Sequence, residues 1–281
     1  TWTKSLTEDL AQWPSRMGPE SQLGWTCDSL ELDILADGFD PITLKEMDDV
    51  ALLNRIDTKF LLTNAQLLDL LAALQADYWI LSVKGQRLNH YRTLYFDTPQ
   101  FGLYQLHVNG QAERYKVRSR EYTDTHTAFL EVKHKTRKQR TIKERIPTAT
   151  QLTGMTRAAE NWLQTVYPFD GHSLEPKLWN TFTRLTLVSK HHCERVTLDV
   201  DLSFHAASHS TTLDGLVIAE VKRDADSPAS TFLQQMRANH IHPRGFSKYC
   251  LGVSMLYDTV KKNALKPKLL MIERMTGGII L

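Results

Sequence analysis

The chain has 281 residues, 42% of them hydrophobic and 23% charged, with 34 Lys and Arg against 32 Asp and Glu for a net charge of +2. That balance argues against a disordered polyelectrolyte and against a uniformly basic nucleic-acid coat, so any anion site must come from charge concentrated locally. Cys27, Cys193 and Cys250 are too few and too widely spaced for a disulfide framework or a structural zinc site and fit a reducing, cytoplasmic setting, while no apolar run approaches the roughly 18 residues of a membrane span.

Residues 1–40, punctuated by Pro14, Gly18, Pro19 and Gly24, read as an N-terminal extension of low regularity with room for one short helix. From Pro41 the spacing of Ile42, Leu44, Met47, Val50 and Leu53 predicts a helix. Asn64 is placed to cap a second helix through Leu67, Leu68, Leu71 and Leu74, with a short strand over 55–62 between the two. After Ala76 the pattern turns to β, with strands expected over 80–83, 91–96, 113–122, 129–135 and 141–146. A helix is expected over 150–166, strands over 177–189, 195–204 and 216–222, and a last helix pair over 228–238 and 247–257. Residues 41–258 read as one domain and 259–281 as a C-terminal tail, with no internal repeat.

Residues two apart on a strand share a face, and that rule sorts the charges. Arg114, Lys116, Arg118 and Arg120 fall on one face opposite Tyr115 and Val117; Glu131, Lys133 and Lys135 oppose Leu130 and Val132. Lys143 and Arg145 oppose Ile142, Glu144 and Ile146, a less clean division. Arg195, Asp199 and Asp201 oppose Val196, Leu198 and Val200, and Glu220 with Lys222 oppose Val217, Ala219 and Val221. A solvated antiparallel face accounts for any one of these strands. The set is harder to explain that way. Between Gln111 and Arg145 there are eleven Lys and Arg against five Asp and Glu, and cations crowded on one face repel unless an anion sits among them. A sheet closed into a barrel with these faces inward gives the anion a place and leaves the apolar outside for helices to cover. Interior charges are costly unless paired, so such a barrel must stay wet and hold a polyanion.

Seven short motifs then carry a resemblance. They are Arg55-Ile56-Asp57-Thr58-Lys59, Tyr95-Phe96-Asp97-Thr98-Pro99, Lys116 to Tyr122, Glu131-Val132-Lys133, Arg195 to Asp199, Glu220-Val221-Lys222 and Phe246-Ser247-Lys248-Tyr249. In this order the chain resembles the vacuolar transporter chaperone (VTC) domain, the polyphosphate polymerase branch of the triphosphate tunnel metalloenzymes. The resemblance implies an α+β fold, an eight-stranded antiparallel β-barrel tunnel with flanking helices, and ATP, triphosphate or polyphosphate as ligand with Mn2+ or Mg2+. Carried over by position, Lys59, Arg118, Arg120, Lys133, Arg184 and Lys248 would act on the phosphates. Lys116, Lys143, Arg145, Arg195, Lys222 and Ser247 would help bind them, and Glu220, Glu131 and Asp57 would hold the metal. Arg55 stands where relatives carry a further acid, and Phe182 stands where a tyrosine is expected two residues before Arg184.

No GxxxxGK[ST] loop is present to cradle phosphate with backbone amides, so side chains must neutralise and orient it. An acceptor that brings its own oxygen, a polyphosphate end or water, removes the need for a side-chain nucleophile, which leaves polymerase and triphosphate hydrolase both open. A polyanion-binding module without catalysis is the alternative of another class, and sequence-specific nucleic-acid recognition is not expected. His191-His192, His240 and His242 read as surface or loop residues, and Cys250, Phe101, Tyr104 and Trp179 as packing.

Overall fold

The structure, a computed structural model, describes residues 27–48, 55–138, 140–207, 209–224 and 227–277. The extension up to residue 26, and Val50 and Leu53 of the first expected helix, lie outside the described residues. Alternating apolar and charged side chains build one sheet from β1 (Asp40–Ile42), β2 (Arg55–Thr63), β3 (Tyr78–Leu81), β4 (Asn89–Asp97), β5 (Arg114–Tyr122), β6 (Thr127–Lys135), β7 (Thr141–Thr148), β8 (Glu175–Ser189), β9 (Glu194–Ala206), β10 (His209–Leu213) and β11 (Leu216–Asp224). The helices are α1 (Cys27–Asp37), α2 (Leu44–Asp48), α3 (Asn64–Leu74), α4 (Gly102–Val108), α5 (Arg157–Val166), α6 (Thr231–Ala238), α7 (Lys248–Leu256) and α8 (Lys266–Thr276).

Eight strands pair antiparallel in the order β2-β11-β9-β8-β4-β5-β6-β7, with β1, β3 and β10 attached at the side. The sheet curls until side chains from β2 and from β6 and β7 line one cavity. It does not close. Among the described residues β2 and β7 are not paired, so the expected eight-stranded barrel is an open, curled sheet. β7 has the character of an edge: Lys143, Glu144 and Arg145 are exposed and Pro147, which has no N–H to donate, lies near its end.

The convex face is covered as the alternation demands. Phe60, Leu62, Leu185, Leu187, Val196, Leu198, Val217, Ala219 and Val221 pack under α1, α3 and α6. Leu94, Phe96, Val117, Leu130 and Val132 pack under Ala159 and Leu163 of α5. The concave face divides along its length. Leu61 is two residues from Lys59 and Ile218 two from Glu220, so each apolar residue shares a face with a charged one. At the apolar end Leu61, Leu178, Phe182, Phe204 and Ile218 bury against Tyr249, Leu251 and Val253 of α7 and Leu269 and Ile272 of α8. Helix α7 approaches the strands so closely that a Cβ on Gly252 would lie 2.6 Å from both Leu178 and Phe204, which only glycine allows.

The β8–β9 pairing shifts register near Thr181 and Thr183, and Asp201 in the extra residue's place takes a left-handed φ of 52°. The bulge brings Leu202 and Phe204 to the concave side and exposes Asp201, so Asp201 does not share a face with Asp199 as the alternation predicts. Other expectations need correction too. The first helix is replaced by β1 and the short α2, because the three residues of β1 pair in parallel with β3. The second helix is capped by Thr63 rather than Asn64: Thr63 Oγ1 accepts from Gln66 N while Gln66 Oε1 accepts from Thr63 N, a capping box. The 150–166 helix begins only at Arg157, α1 is a short helix within the N-terminal extension, and α4, α8 and β10 have no counterpart in the expected elements. Among the described residues no helix is long and apolar enough to cross a membrane.

Candidate functional site

Strand register decides which charges meet. On the β2–β11 pair, Glu220 lies opposite Lys59 and Lys222 opposite Asp57, so each carboxylate faces an ammonium. Glu220 Oε2 is 2.7 Å from Lys59 Nζ, and its other oxygen is ion-paired with Lys222. Burial alone would raise Glu220, but the Lys222 and Lys59 charges overcome it and hold the carboxyl well below its ordinary range. Arg195 lies opposite Lys222 on the neighbouring strand.

Across β5, β6 and β7 the rows differ in sign. Arg118 faces Glu131, which faces Arg145, so that row carries its own counter-ion. Arg118 Nε donates to Glu131 Oε2 at 2.7 Å and Lys143 Nζ reaches Oε1 at 2.5 Å. Glu131, 1% exposed, thus has both oxygens ion-paired with cations. One position further out, Lys116, Lys133 and Lys143 form a continuous row of lysines, and beyond it Arg114 faces Lys135. Like charges directly opposite are destabilising. Burial pushes Lys116, Lys133 and Lys143 down to about 8, with neighbouring cations adding to the effect. Arg145 sits at the exposed edge with its guanidinium 4.6 Å from the Phe129 ring centre.

A second neutralised group lies where the charged and apolar halves meet. Arg184 grips Asp199 through Nε at 2.5 Å and Nη2 at 2.8 Å, and Lys248 Nζ reaches the same carboxylate at 2.6 Å. Burial would raise Asp199, yet Arg184 and Lys248 keep it far below the usual carboxylate range. Phe182, stacked on Tyr91 at 5.0 Å, offers its ring to three cations: Lys248 Nζ at 3.0 Å, Arg184 at 5.2 Å and Arg120 at 5.8 Å. A phenylalanine here keeps the aromatic face that attracts cations and lacks only the hydroxyl. Arg120 is buried, donates to Thr93 Oγ1 at 3.2 Å and has no carboxylate partner among the described residues.

Helix α7 delivers two side chains to this boundary. Ser247 caps it, accepting from Cys250 N, and accepts from Lys116 Nζ at 2.9 Å. Tyr249, one residue past Lys248, donates to the fully buried Asp97, whose oxygens also take the N–H groups of Thr98, Leu103 and Tyr104. One carboxylate therefore ties α4 and α7 to β4.

The cavity, about 560 Å3, joins Asp57, Lys59, Lys116, Lys133 and Ser247 to Arg114 and Lys135 of the same charged strand faces and to His107, Arg244 and Lys268, which the strand pattern does not mark. Burial and the charges of Lys116, Arg114, Lys268 and Lys133 push the His107 imidazole down to about 2, so it stays neutral among them. Arg114 and Lys135 follow from strand alternation. Arg244, in a loop after Pro243, and Lys268, on α8, have no periodic signal that could have pointed to them.

These features have a match among known families. The VTC domain model matches residues 54–257, well over half of the chain. The chain belongs to the VTC domain family. No curated protein matches it. Among solved structures it is similar to a provisionally assigned adenylate cyclase from Vibrio parahaemolyticus, at 15% identity over 70% of this chain and 97% of that one with a TM-score of 0.42. A provisionally assigned adenylyl cyclase from Hippeastrum, described as having a dominant triphosphatase activity, is 13% identical over 71% of this chain and 95% of that one, with a TM-score of 0.47.

A divalent metal is implied by tunnel metalloenzymes, and the residues of this VTC domain can be tested for it. No three His, Cys, Asp or Glu side chains gather as a closed cage among the described residues. Mg2+ and Mn2+ do not need one, since one or two carboxylates completed by waters and substrate phosphates suffice. Glu220 and Asp57 fit that demand: Asp57 lines the cavity, and the partly exposed Glu220 lies on the paired strand opposite Lys59, itself a cavity residue. Glu131 fits it less well: cations hold both its oxygens, as Lys59 and Lys222 hold those of Glu220, but its side chain is only 1% exposed where that of Glu220 is 19% exposed and open to an incoming ion.

Proposed function

We propose that this VTC domain performs metal-dependent phosphoryl transfer on a triphosphate, as an ATP-dependent polyphosphate polymerase. The observation that carries this reading is the row of lysines, Lys116, Lys133 and Lys143, opposite one another beside an open cavity with a single carboxylate, Glu131, reaching only the last of them. Such a row is tolerated when a polyanion completes it. Lys59, Lys116 and Lys133 would neutralise the phosphate oxygens, Arg118 and Arg184 would orient them with N–H groups their acid partners leave available, and Arg120 would do so with the guanidinium N–H groups that Thr93 leaves available. Lys248 would add a point charge at the junction, and Lys143, Arg145, Arg195, Lys222 and Ser247 would support the field around it. A metal held between Glu220, Asp57 and the phosphates would supply further neutralisation of charge on the transferring group. With oxygens held and charge offset, an acceptor phosphate oxygen can attack in line without a side-chain nucleophile.

One observation favours triphosphate hydrolysis as a second reading. Helices α7 and α8 fill the apolar end of the concave face, so a growing chain would have to leave by the mouth it entered. Purified protein with ATP and Mn2+, followed by a polyphosphate gel and a free-phosphate assay, separates the readings. A ladder of chains supports the polymerase and free phosphate alone the hydrolase. Triphosphate binding without turnover would leave a binding module, and absence of binding would end the phosphate reading. Glu220→Gln should abolish metal-dependent turnover while tripolyphosphate binding stays within about tenfold, since the basic groups supply most of the affinity.

A further inference from the structure

The cation row on β5 is longer than a triphosphate. From Arg114 to Arg120 it covers six residue steps, about 20 Å at strand rise. Arg118 is met by Glu131, and Lys116 with Lys133 forms the seat proposed above. Past that seat lies a second group, Arg114, Lys135, Arg244 and Lys268, lining the same cavity. Among the described residues none of these four has a carboxylate within ion-pair reach, whereas Glu131, Asp199 and Glu220 serve the cations deeper in.

Nor are these four simply side chains trailing in water. Arg114 and Lys135 are fixed opposite each other by the β5–β6 register. Arg244 is pinned beside the seat, its backbone N–H donating to Lys59 O at 2.7 Å. Lys268 precedes Leu269, which with Ile272 is fully buried in the core, so α8 holds Lys268 at the cavity. Burial also lowers the Lys268 ammonium below its ordinary value, the direction expected of a partly desolvated charge that an anion would stabilise.

Resting on the phosphate reading of the seat, we infer that Arg114, Lys135, Arg244 and Lys268 form an outer subsite for the phosphates of a linear chain beyond the third. The subsite makes the protein select long polyphosphate over triphosphate. Its composition explains why Lys268, outside the segment matched to the family, is carried to the cavity by a helix anchored in the core. It binds through charge alone, so it reads chain length rather than the group at the chain's end.

The test is isothermal titration of the full chain and of the Arg244→Ala/Lys268→Ala double variant with tripolyphosphate and with long-chain polyphosphate at one ionic strength. The parent should bind the long chain more tightly. The double variant should lose roughly tenfold for the long chain, in line with two charge-assisted contacts at an exposed rim, and less than about twofold for tripolyphosphate. A Lys268→Glu variant, whose melting temperature checks the fold, should lose more for the long chain. Equal loss for both ligands would merge the rim with the triphosphate seat and overturn the inference; so would no loss for either, or a parent that binds both ligands equally. A parent that binds neither would overturn the seat itself, an outcome distinct from all of these.

Discussion

The inner and outer parts of one cation-bearing face behave as different materials. Inward, Arg118 has Glu131, Arg184 and Lys248 share Asp199, and the acids are buried with their cations. Outward, Lys116 faces Lys133 and Arg114 faces Lys135, with no acid between them. The inner part holds its geometry with or without ligand because each of its buried acids is already gripped by two cations. The outer part is balanced only by something that arrives. Alternation on a strand puts charges on the concave face, but cross-strand register decides whether a given cation is structural or receptive.

The largest expected effect breaks the balanced side. Glu131→Gln leaves Arg118 and Lys143 without their shared counter-ion, and losing one member of a buried pair costs about 3–5 kcal/mol. Asp199→Asn should act alike on Arg184 and Lys248. Urea unfolding should show both losses, and saturating tripolyphosphate should recover part of them by supplying negative charge. A Glu131→Gln protein as stable as the parent would mean that the inner part is not internally balanced and the contrast is false.

Much of this contrast lay beyond the sequence, for a definable reason. The faces of β5, β6, β9 and β11 were legible because alternation is local, and so were α6, α7 and the buried roles of Phe101, Tyr104, Trp179 and Cys250. Register is not local. Glu131 reads as a metal ligand from its motif, yet pairing places it between Arg118 and Arg145. The expected barrel failed at β7, whose exposed residues leave an edge, and Asp201 departed from its face because a bulge inserts one residue. Lys268 and Arg244 reach the cavity through helix docking and a loop contact, neither of which leaves a period in the chain.

The receptive side should respond in the opposite sense. Lys133→Ala removes a half-buried ammonium that, among the described residues, has no carboxylate in ion-pair contact, so unfolding free energy should stay within about 0.5 kcal/mol of the parent or rise. Tripolyphosphate binding by the same variant should weaken by about 1.5–3 kcal/mol, the range for a hydrogen bond to a charged group. Calorimetry and urea unfolding on one preparation check both. A variant that binds as well as the parent but unfolds more easily would assign Lys133 to structure.

The smallest effect is the most diagnostic, because stability and affinity should move in opposite directions with pH. Burial, reinforced by Arg184 and Arg120, pushes Lys248 down to about 7 although Asp199 pulls it up, and burial sets Lys116 and Lys133 near 8. In the unfolded chain these lysines titrate near their ordinary value, so between about 7 and 10 the unfolded state binds more protons and stability rises with pH. Below 7 the cost of keeping them charged is felt in full. Anion binding favours the charged form and raises the same values, so tripolyphosphate should bind most tightly below pH 7 and take up protons on binding near pH 8. Affinity should then fall by at most about tenfold per pH unit for each proton coupled. Lys248→Arg keeps a charge throughout this range, and comparing it with the parent cancels the ligand's own ionisation. Its affinity should decline less between pH 7 and 8, and its proton uptake, read by titration in two buffers of different ionisation enthalpy, should be smaller. Identical pH slopes for Lys248→Arg and the parent would show that Lys248 is charged well above neutrality, leaving the lysine pair across β5 and β6 as the source of any remaining dependence.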